Sequence, residues 1–142
     1  MQNPLISIII PTYNASDCLQ SAINSVSANQ YPHKELIVVD GNSTDGTLEI
    51  IKENDKKISN WISEPDKGIY HAMEKGIRLA KGDWIYFLGA DDVLENCLHH
   101  VKNFLHDQKT IYYGDVYYLK SNVNYDGKFD LKKIIDKNIC QQ

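Results

Sequence analysis

Leu5-Ile6-Ser7-Ile8-Ile9-Ile10, followed by Pro11-Thr12-Tyr13-Asn14, is the stretch on which the fold turns. The run is short, β-branched and almost wholly apolar, the signature of a strand buried on both faces, as in parallel sheets. Pro11 is expected to end it, and Ser16 to cap a helix on which Leu19, Ala22, Ile23 and Val26 share a face. Outward from there the pattern recurs. Glu35 to Asp40 (ELIVVD) reads as a second buried strand, Gly41 to Gly46 as a turn-rich loop, and Leu48 with Ile51 as one face of a helix. A shorter strand is expected at Ile58 to Ile62, then a loop from Glu64 to Gly68. Ile69, Ala72, Met73, Gly76, Ile77 and Ala80 predict one face of an amphipathic helix, with Gly82 at its C-terminal cap. Trp84 to Leu88 reads as a further buried strand running into Gly89-Ala90-Asp91-Asp92. Leu94, Leu98, Val101 and Leu105 mark another helix, Ile111 to Tyr113 and Val116 to Leu119 two strands, and Phe129 to Ile135 a short packed helix. Strands alternating with helices imply an α/β fold with a mostly parallel sheet flanked by helices.

Composition narrows the function. The formal net charge is −4 and the Lys and Arg residues are scattered, which argues against a nucleic-acid partner. Cys18, Cys97 and Cys140 are sparse and odd in number, as expected of reduced thiols in a cytoplasmic protein. His99 and His100 are adjacent, so on a helix they diverge and make poor co-ligands. The N-terminus lacks the basic region of a signal peptide, and no apolar run approaches the length that spans a bilayer. Peripheral membrane association stays compatible with the sequence.

Ligands of open α/β sheets bind outside the carboxyl ends of the strands. Three such ends here carry polar sets: Pro11-Thr12-Tyr13-Asn14, Asp40-Gly41-Asn42-Ser43 and Gly89-Ala90-Asp91-Asp92. Neighbouring strands would bring all three into one crevice. No Gly-x-Gly-x-x-Gly or Walker loop is present, and Pro11 stands where a dinucleotide fold needs its first glycine. Asp91 and Asp92 then have two readings of about equal weight: a site for Mg²⁺ or Mn²⁺ shared with phosphate oxygens, or acids placed at a helix N-terminus. Asp40 either caps the Gly41 turn or accepts hydrogen bonds from a ribose or base. Tyr13 either stacks on a base or packs under its loop.

Taken in order, four segments resemble the inverting, GT-A group of family-2 glycosyltransferases. They are Ser7 to Asn14, Glu35 to Thr47, Ser63 to Tyr70 with Ala72 and Gly76, and Gly82 to Asp92, within a similarity covering residues 5–119. The resemblance implies a GT-A, Rossmann-like fold and a hexosyl-type transferase. That enzyme would move a sugar from a nucleotide-sugar donor, expected to be a UDP-sugar, to an acceptor hydroxyl with inversion, in cell-envelope or capsular polysaccharide synthesis. It implies a donor site of Pro11, Thr12, Tyr13, Asn14, Asp40, Asn42, Asp66, Lys67, Gly68, Ala90 and Asp91, with Asp40 bonding the base. Asp91 and Asp92 would hold the divalent metal, with Asp91 the main ligand. A saccharide or lipid-linked saccharide acceptor is implied, at a cytoplasmic location that extends to the inner face of the membrane.

Three departures from the family pattern stand out. Gly89 replaces the first acid of Asp-x-Asp, and His71 and Glu74 replace a common Asp and Asn. The general base is expected beyond Gln142, because family members continue well past this point. The expected organisation is therefore a nucleotide-sugar-binding domain over residues 1–119, with residues 120–142 opening an acceptor-side region. The alternative to a working transferase is a catalytically incomplete fragment that still binds the nucleotide-sugar. Asp115 reads as structural. A receiver-type signalling domain ranks low, because Pro11-Thr12-Tyr13 follows the first strand where it would need an acidic pair.

Overall fold

Strand β1 (Ile6–Thr12) lies at the centre of the sheet and is buried along its whole length. Its Ile8, Ile9 and Ile10 are completely enclosed, and each contributes about 1.5–3 kcal/mol of burial free energy. In the computed structural model, residues 3–107 and 109–112 are described, together with the backbone of two short strands at 117–118 and 123–124. Helix α1 (Leu19–Ala28), β2 (Lys34–Asp40), α2 (Thr47–Glu53), β3 (Asn60–Ser63), α3 (Ile69–Leu79), β4 (Trp84–Phe87) and α4 (Leu98–Val101) follow. The sheet order is β3-β2-β1-β4, and all three pairings are parallel. This is the α/β architecture expected from the alternation of elements.

The strand runs through Pro11 rather than ending before it, and Pro11 pairs with Val39. The physical reason is the direction of the missing N–H. Thr12 O accepts from Gly41 N on the β2 side, whereas Ile9 O accepts from Leu88 N on the β4 side. Alternation therefore turns Pro11 toward β4, whose pairing with β1 has already ended at Ile9↔Phe87. No ladder bond is lost, so the proline is tolerated.

Right-handed crossovers place α1 and α2 on one face of the sheet. The β3-to-β4 connection reverses direction and carries α3 to the other face. There Ile9, Ile37, Val39 and Ala72 form a buried cluster. Gly76 permits this approach: a β-carbon would collide with Ile9 Cγ2. The buried positions of α3 are Ala72 and Gly76, while Ile69 and Ile77 flank that stripe and are exposed, narrower than the apolar face predicted.

Other expectations shift. Ser16 does not cap α1; the cap position is Cys18, which makes no side-chain cap bond. Gly82 is not a helix cap either, since α3 ends at Leu79 and Ala80 takes the cap position. Instead Gly82 packs against Ser7 and Leu5, and its N–H donates to Ser7 Oγ (2.8 Å). β3 starts two residues later than expected. Among the described residues β4 is the edge of the sheet and half-exposed, with Ile85, Tyr86 and Phe87 all partly open, not a strand buried on both faces. α4 is a single turn beginning at Leu98, and Leu94 lies in the loop before it.

Residues 1–104 form one compact unit and residues 105–142 another. In the second, Asp107 accepts from Lys109 N (3.0 Å) and Thr110 Oγ1 (2.6 Å), and β5 (Tyr117–Tyr118) pairs antiparallel with β6 (Val123–Asn124). The expected division after residue 119, Asp115, Cys140 and the Phe129–Ile135 helix lie outside the described residues.

Candidate functional site

Because every strand of the sheet is parallel, the ends of β1, β2, β3 and β4 open on the same edge. The winding reverses between β1 and β4, and such a switch point leaves a crevice for ligand. Tyr13 and the Gly89–Asp92 turn flank it.

On the β2 side the loops are laced together. Asn14 N donates to Ser43 Oγ (2.8 Å) and Asn14 Oδ1 accepts from Thr44 N (2.9 Å). Ala15 N donates to Thr47 Oγ1 (2.8 Å), and Ser16 N to Asp45 Oδ2 (3.0 Å). Asp45 Oδ1 accepts from Thr47 Oγ1 (2.6 Å) and Thr47 N (3.1 Å). The Thr47 hydroxyl and the Ser16 N–H hold the Asp45 carboxyl far below the usual carboxylate range. Asn14 and Asn42 adopt left-handed backbone (φ 48° and 67°), which asparagine tolerates better than most residues.

Asp40 is completely buried. Both of its oxygens are engaged. Ser43 N reaches Oδ1 (3.3 Å) and Oδ2 (3.1 Å), the Ser43 hydroxyl donates to Oδ1, and the Ser63 hydroxyl donates to Oδ2 (2.5 Å). This is the turn-capping arrangement, extended by a serine from β3. Ser63 was legible only as part of a motif; its tie to Asp40 crosses two strands.

Beside Asp40, Gly41 leaves a gap that two other side chains enter. A β-carbon there would stand 2.8 Å from Asp66 Oδ2 and 3.2 Å from Tyr13 Cδ2. Tyr13 is 64% exposed, so it does not serve as core beneath its loop. Asp66 Oδ1 accepts from Gly68 N (2.8 Å), and Oδ2 has no partner among the described residues. The loop carrying Asp66 is fastened to α3 at two points. Lys75 Nζ meets Glu64 (2.9 Å) and Pro65 O (2.9 Å), and Lys67 N donates to His71 Nδ1 (3.1 Å). Thr12, next to Asp40 in register, keeps a buried hydroxyl with no partner among the described residues. Buried polar groups are normally satisfied, and this hydroxyl is the exception among the buried side chains described.

Across the crevice, Asp91 and Asp92 are exposed and six or more residues ahead of α4, so they do not cap a helix. Both turn onto Gly89. A β-carbon there would stand 2.5 Å from Asp92 Oδ2 and 3.0 Å from Asp91 Oδ1. Ala90 is half-buried between them and β4. Among the described residues no group of three or more His, Cys, Asp or Glu side chains could hold a metal. Two carboxylates are nevertheless the usual protein share of a Mg²⁺ site whose other ligands are phosphate and water. The donor set is of the kind that shares a divalent cation with other oxygen ligands. Burial first, then the charges of Asp91, Asp17 and Asp45, push the Cys18 thiol up, so it stays protonated; Cys18 and Cys97 are both free thiols. Among the described residues no helix is long and apolar enough to cross a membrane.

Three comparisons bear on this geometry. The sequence model described as "Glycosyl transferase family 2" matches residues 7–139. A "PGL/p-HBAD biosynthesis glycosyltransferase" from Mycobacterium tuberculosis is 38% identical over 150 aligned positions, covering all of this chain and 59% of that protein. The "UDP-Glc:alpha-D-GlcNAc-diphosphoundecaprenol beta-1,3-glucosyltransferase WfgD" of Escherichia coli is 33% identical, covering 91% of this chain and 52% of the relative. The chain thus spans between half and three-fifths of these relatives' length. Among solved structures, residues 1–349 of S. aureus TarS in complex with UDP-GlcNAc align with a TM-score of 0.65 at 26% identity, over 71% of this chain and 31% of that one. The mannosyltransferase PcManGT from Pyrobaculum calidifontis, in complex with GDP-Man and Mn²⁺, aligns at 0.67 and 25% identity, over 75% of this chain and 34% of that one.

Proposed function

Because this chain belongs to the family-2 glycosyltransferases, we propose that its crevice binds a nucleotide-sugar, a UDP-sugar in the first instance, for transfer to an acceptor hydroxyl with inversion. One observation carries the reading. The parallel strand ends set an exposed aromatic (Tyr13) and a carboxylate whose Oδ2 has no partner among the described residues (Asp66) on one side of the winding reversal and an acid pair (Asp91, Asp92) on the other. A base stacked on Tyr13 and a diphosphate near the acid pair would span the crevice. Two relatives and two solved neighbours whose names carry UDP-Glc, UDP-GlcNAc and GDP-Man, or PGL/p-HBAD biosynthesis, support the same class. The lipid-diphosphate-linked sugar in the name of the E. coli relative supports a saccharide or lipid-linked acceptor.

Asp91 and Asp92 would hold a divalent cation, Mg²⁺ or Mn²⁺, which supplies Lewis-acid stabilisation of the leaving diphosphate. The laced loops hold the nucleoside wall rigid, so that binding orders little further chain. Pro11, Asn14, Asn42, Lys67, Gly68 and Ala90 line or shape the same edge. A second reading, donor binding without turnover, uses the same crevice; single-turnover transfer from a labelled donor separates the two.

Calorimetric titration of UDP with Mn²⁺ and then with chelator tests the donor site. The affinity should fall at least tenfold in chelator, and Asp91→Ala should show the weak value under both conditions. Metal-independent binding that is equal in wild type and Asp91→Ala would remove the acid pair from the site.

A further inference from the structure

The family resemblance implies that Asp40 bonds the base, but the carboxylate is already engaged within the fold. Its carboxylate is fully buried, with Ser43 donating to both oxygens and Ser63 to one. Reaching a base would require breaking a set of hydrogen bonds to a charged group, which are stronger than those between neutral partners. A carboxylate oxygen with no partner among the described residues stands against the next residue, Gly41. Asp66 Oδ2 lies against the open face of Gly41, beside the exposed ring of Tyr13, while Oδ1 is pinned by Gly68 N.

We infer that Asp66, not Asp40, is the residue that reads the nucleobase, accepting the ring N–H of a lactam base such as uracil through Oδ2 while the base lies on Tyr13. The inference rests on the donor-site reading above and deepens it. Three features meet in it. An ionised carboxylate only accepts, so it favours a base with a ring N–H donor and disfavours cytosine, whose corresponding ring nitrogen is an acceptor. The absence of a side chain at Gly41 is what lets Asp66 and Tyr13 come together, since a β-carbon there would stand 2.8 Å from Oδ2. The Asp66 loop is fastened by the Lys75–Glu64 pair and by His71, so the oxygen is held in place before the base arrives. Asp40 then acts at one remove, as the post that fixes Ser43 and Ser63 beneath the site.

Asp66→Asn is a close to isosteric test. The amide oxygen can keep the bond from Gly68 N, and the amide nitrogen then stands where Oδ2 stood, turning the acceptor into a donor. Affinities for UDP and CDP are to be measured by calorimetry with Mn²⁺ on the full chain, for wild type, Asp66→Asn and Gly41→Ala, with folding checked by circular dichroism. The wild type should prefer UDP by at least tenfold. Asp66→Asn should reduce that preference to less than threefold or reverse it, and Gly41→Ala should weaken UDP without favouring CDP. A UDP preference unchanged in Asp66→Asn, with UDP still bound, overturns this inference alone. A wild type that binds neither nucleotide overturns the donor-site reading and this inference with it.

Discussion

The two banks of the crevice are built on opposite terms. On the β2 bank nearly every polar group has a protein partner: Asn14 with Ser43 and Thr44, Asp45 with Ser16 and Thr47, Asp40 with Ser43 and Ser63. On the β4 bank an edge strand stands half-exposed, and Asp91 and Asp92 reach into solvent over a bare glycine. Saturated acids hold a structure in place; exposed acids without protein partners are the ones open to a ligand. The same contrast separates Asp40 from Asp66 within a single bank, so sequence position is a poorer guide to role than the state of each carboxylate's lone pairs.

That contrast can be broken by experiment. Asp40→Ala should have the largest effect on stability, about 2–3 kcal/mol, because Ser43 and Ser63 lose their acceptor inside the fold. Asp91→Ala should stay within about 0.5 kcal/mol of wild type, as exposed sites do. Urea denaturation of the two variants compares the banks directly, and equal losses would erase the distinction. Gly89→Asp, which restores the family's usual acid, sharpens it next. The new side chain would displace Asp91 and Asp92, so Mn²⁺-dependent UDP affinity should fall several-fold, about 1 kcal/mol, with little change in the unfolding midpoint. An affinity that rises instead would mean that the turn opens to seat a third carboxylate.

The smallest effect concerns acid. Asp45 is held below its unfolded value of about 3.9, so its contribution is present above about pH 4 and is lost as pH falls toward its folded value. Thermal melts between pH 6 and pH 3 should show Tm falling less in Asp45→Asn than in wild type, because the variant has no such contribution to lose. Parallel curves would mean that the lacing of the two loops does not depend on that charge.

Much of this was readable along the chain, and the parts that were not share a cause. The apolar runs at 5–10 and 35–40 located two central strands, because burial on both faces demands such runs whatever the neighbours. Trp84–Leu88 looked alike and is the edge of the sheet among the described residues, because composition does not say how many partners a strand has. Pro11 looked like a stop and is not one, because its cost depends on where the adjacent strand ends. Gly76, Gly82 and Gly89 were visible as glycines, but what each makes room for, Ile9, Ser7 and the acid pair, is hundreds of bonds away or around a turn.

The amino-acid sequence by itself determined the α/β class, the family and the set of polar residues at the strand ends, since periodicity and local motif encode these directly. Only the tertiary structure decided which of those residues are already satisfied and which face the crevice. Hydrogen-bond saturation is a property of pairs brought together by folding, such as Ser63 with Asp40 or Asp66 with the space over Gly41, and no single position carries it.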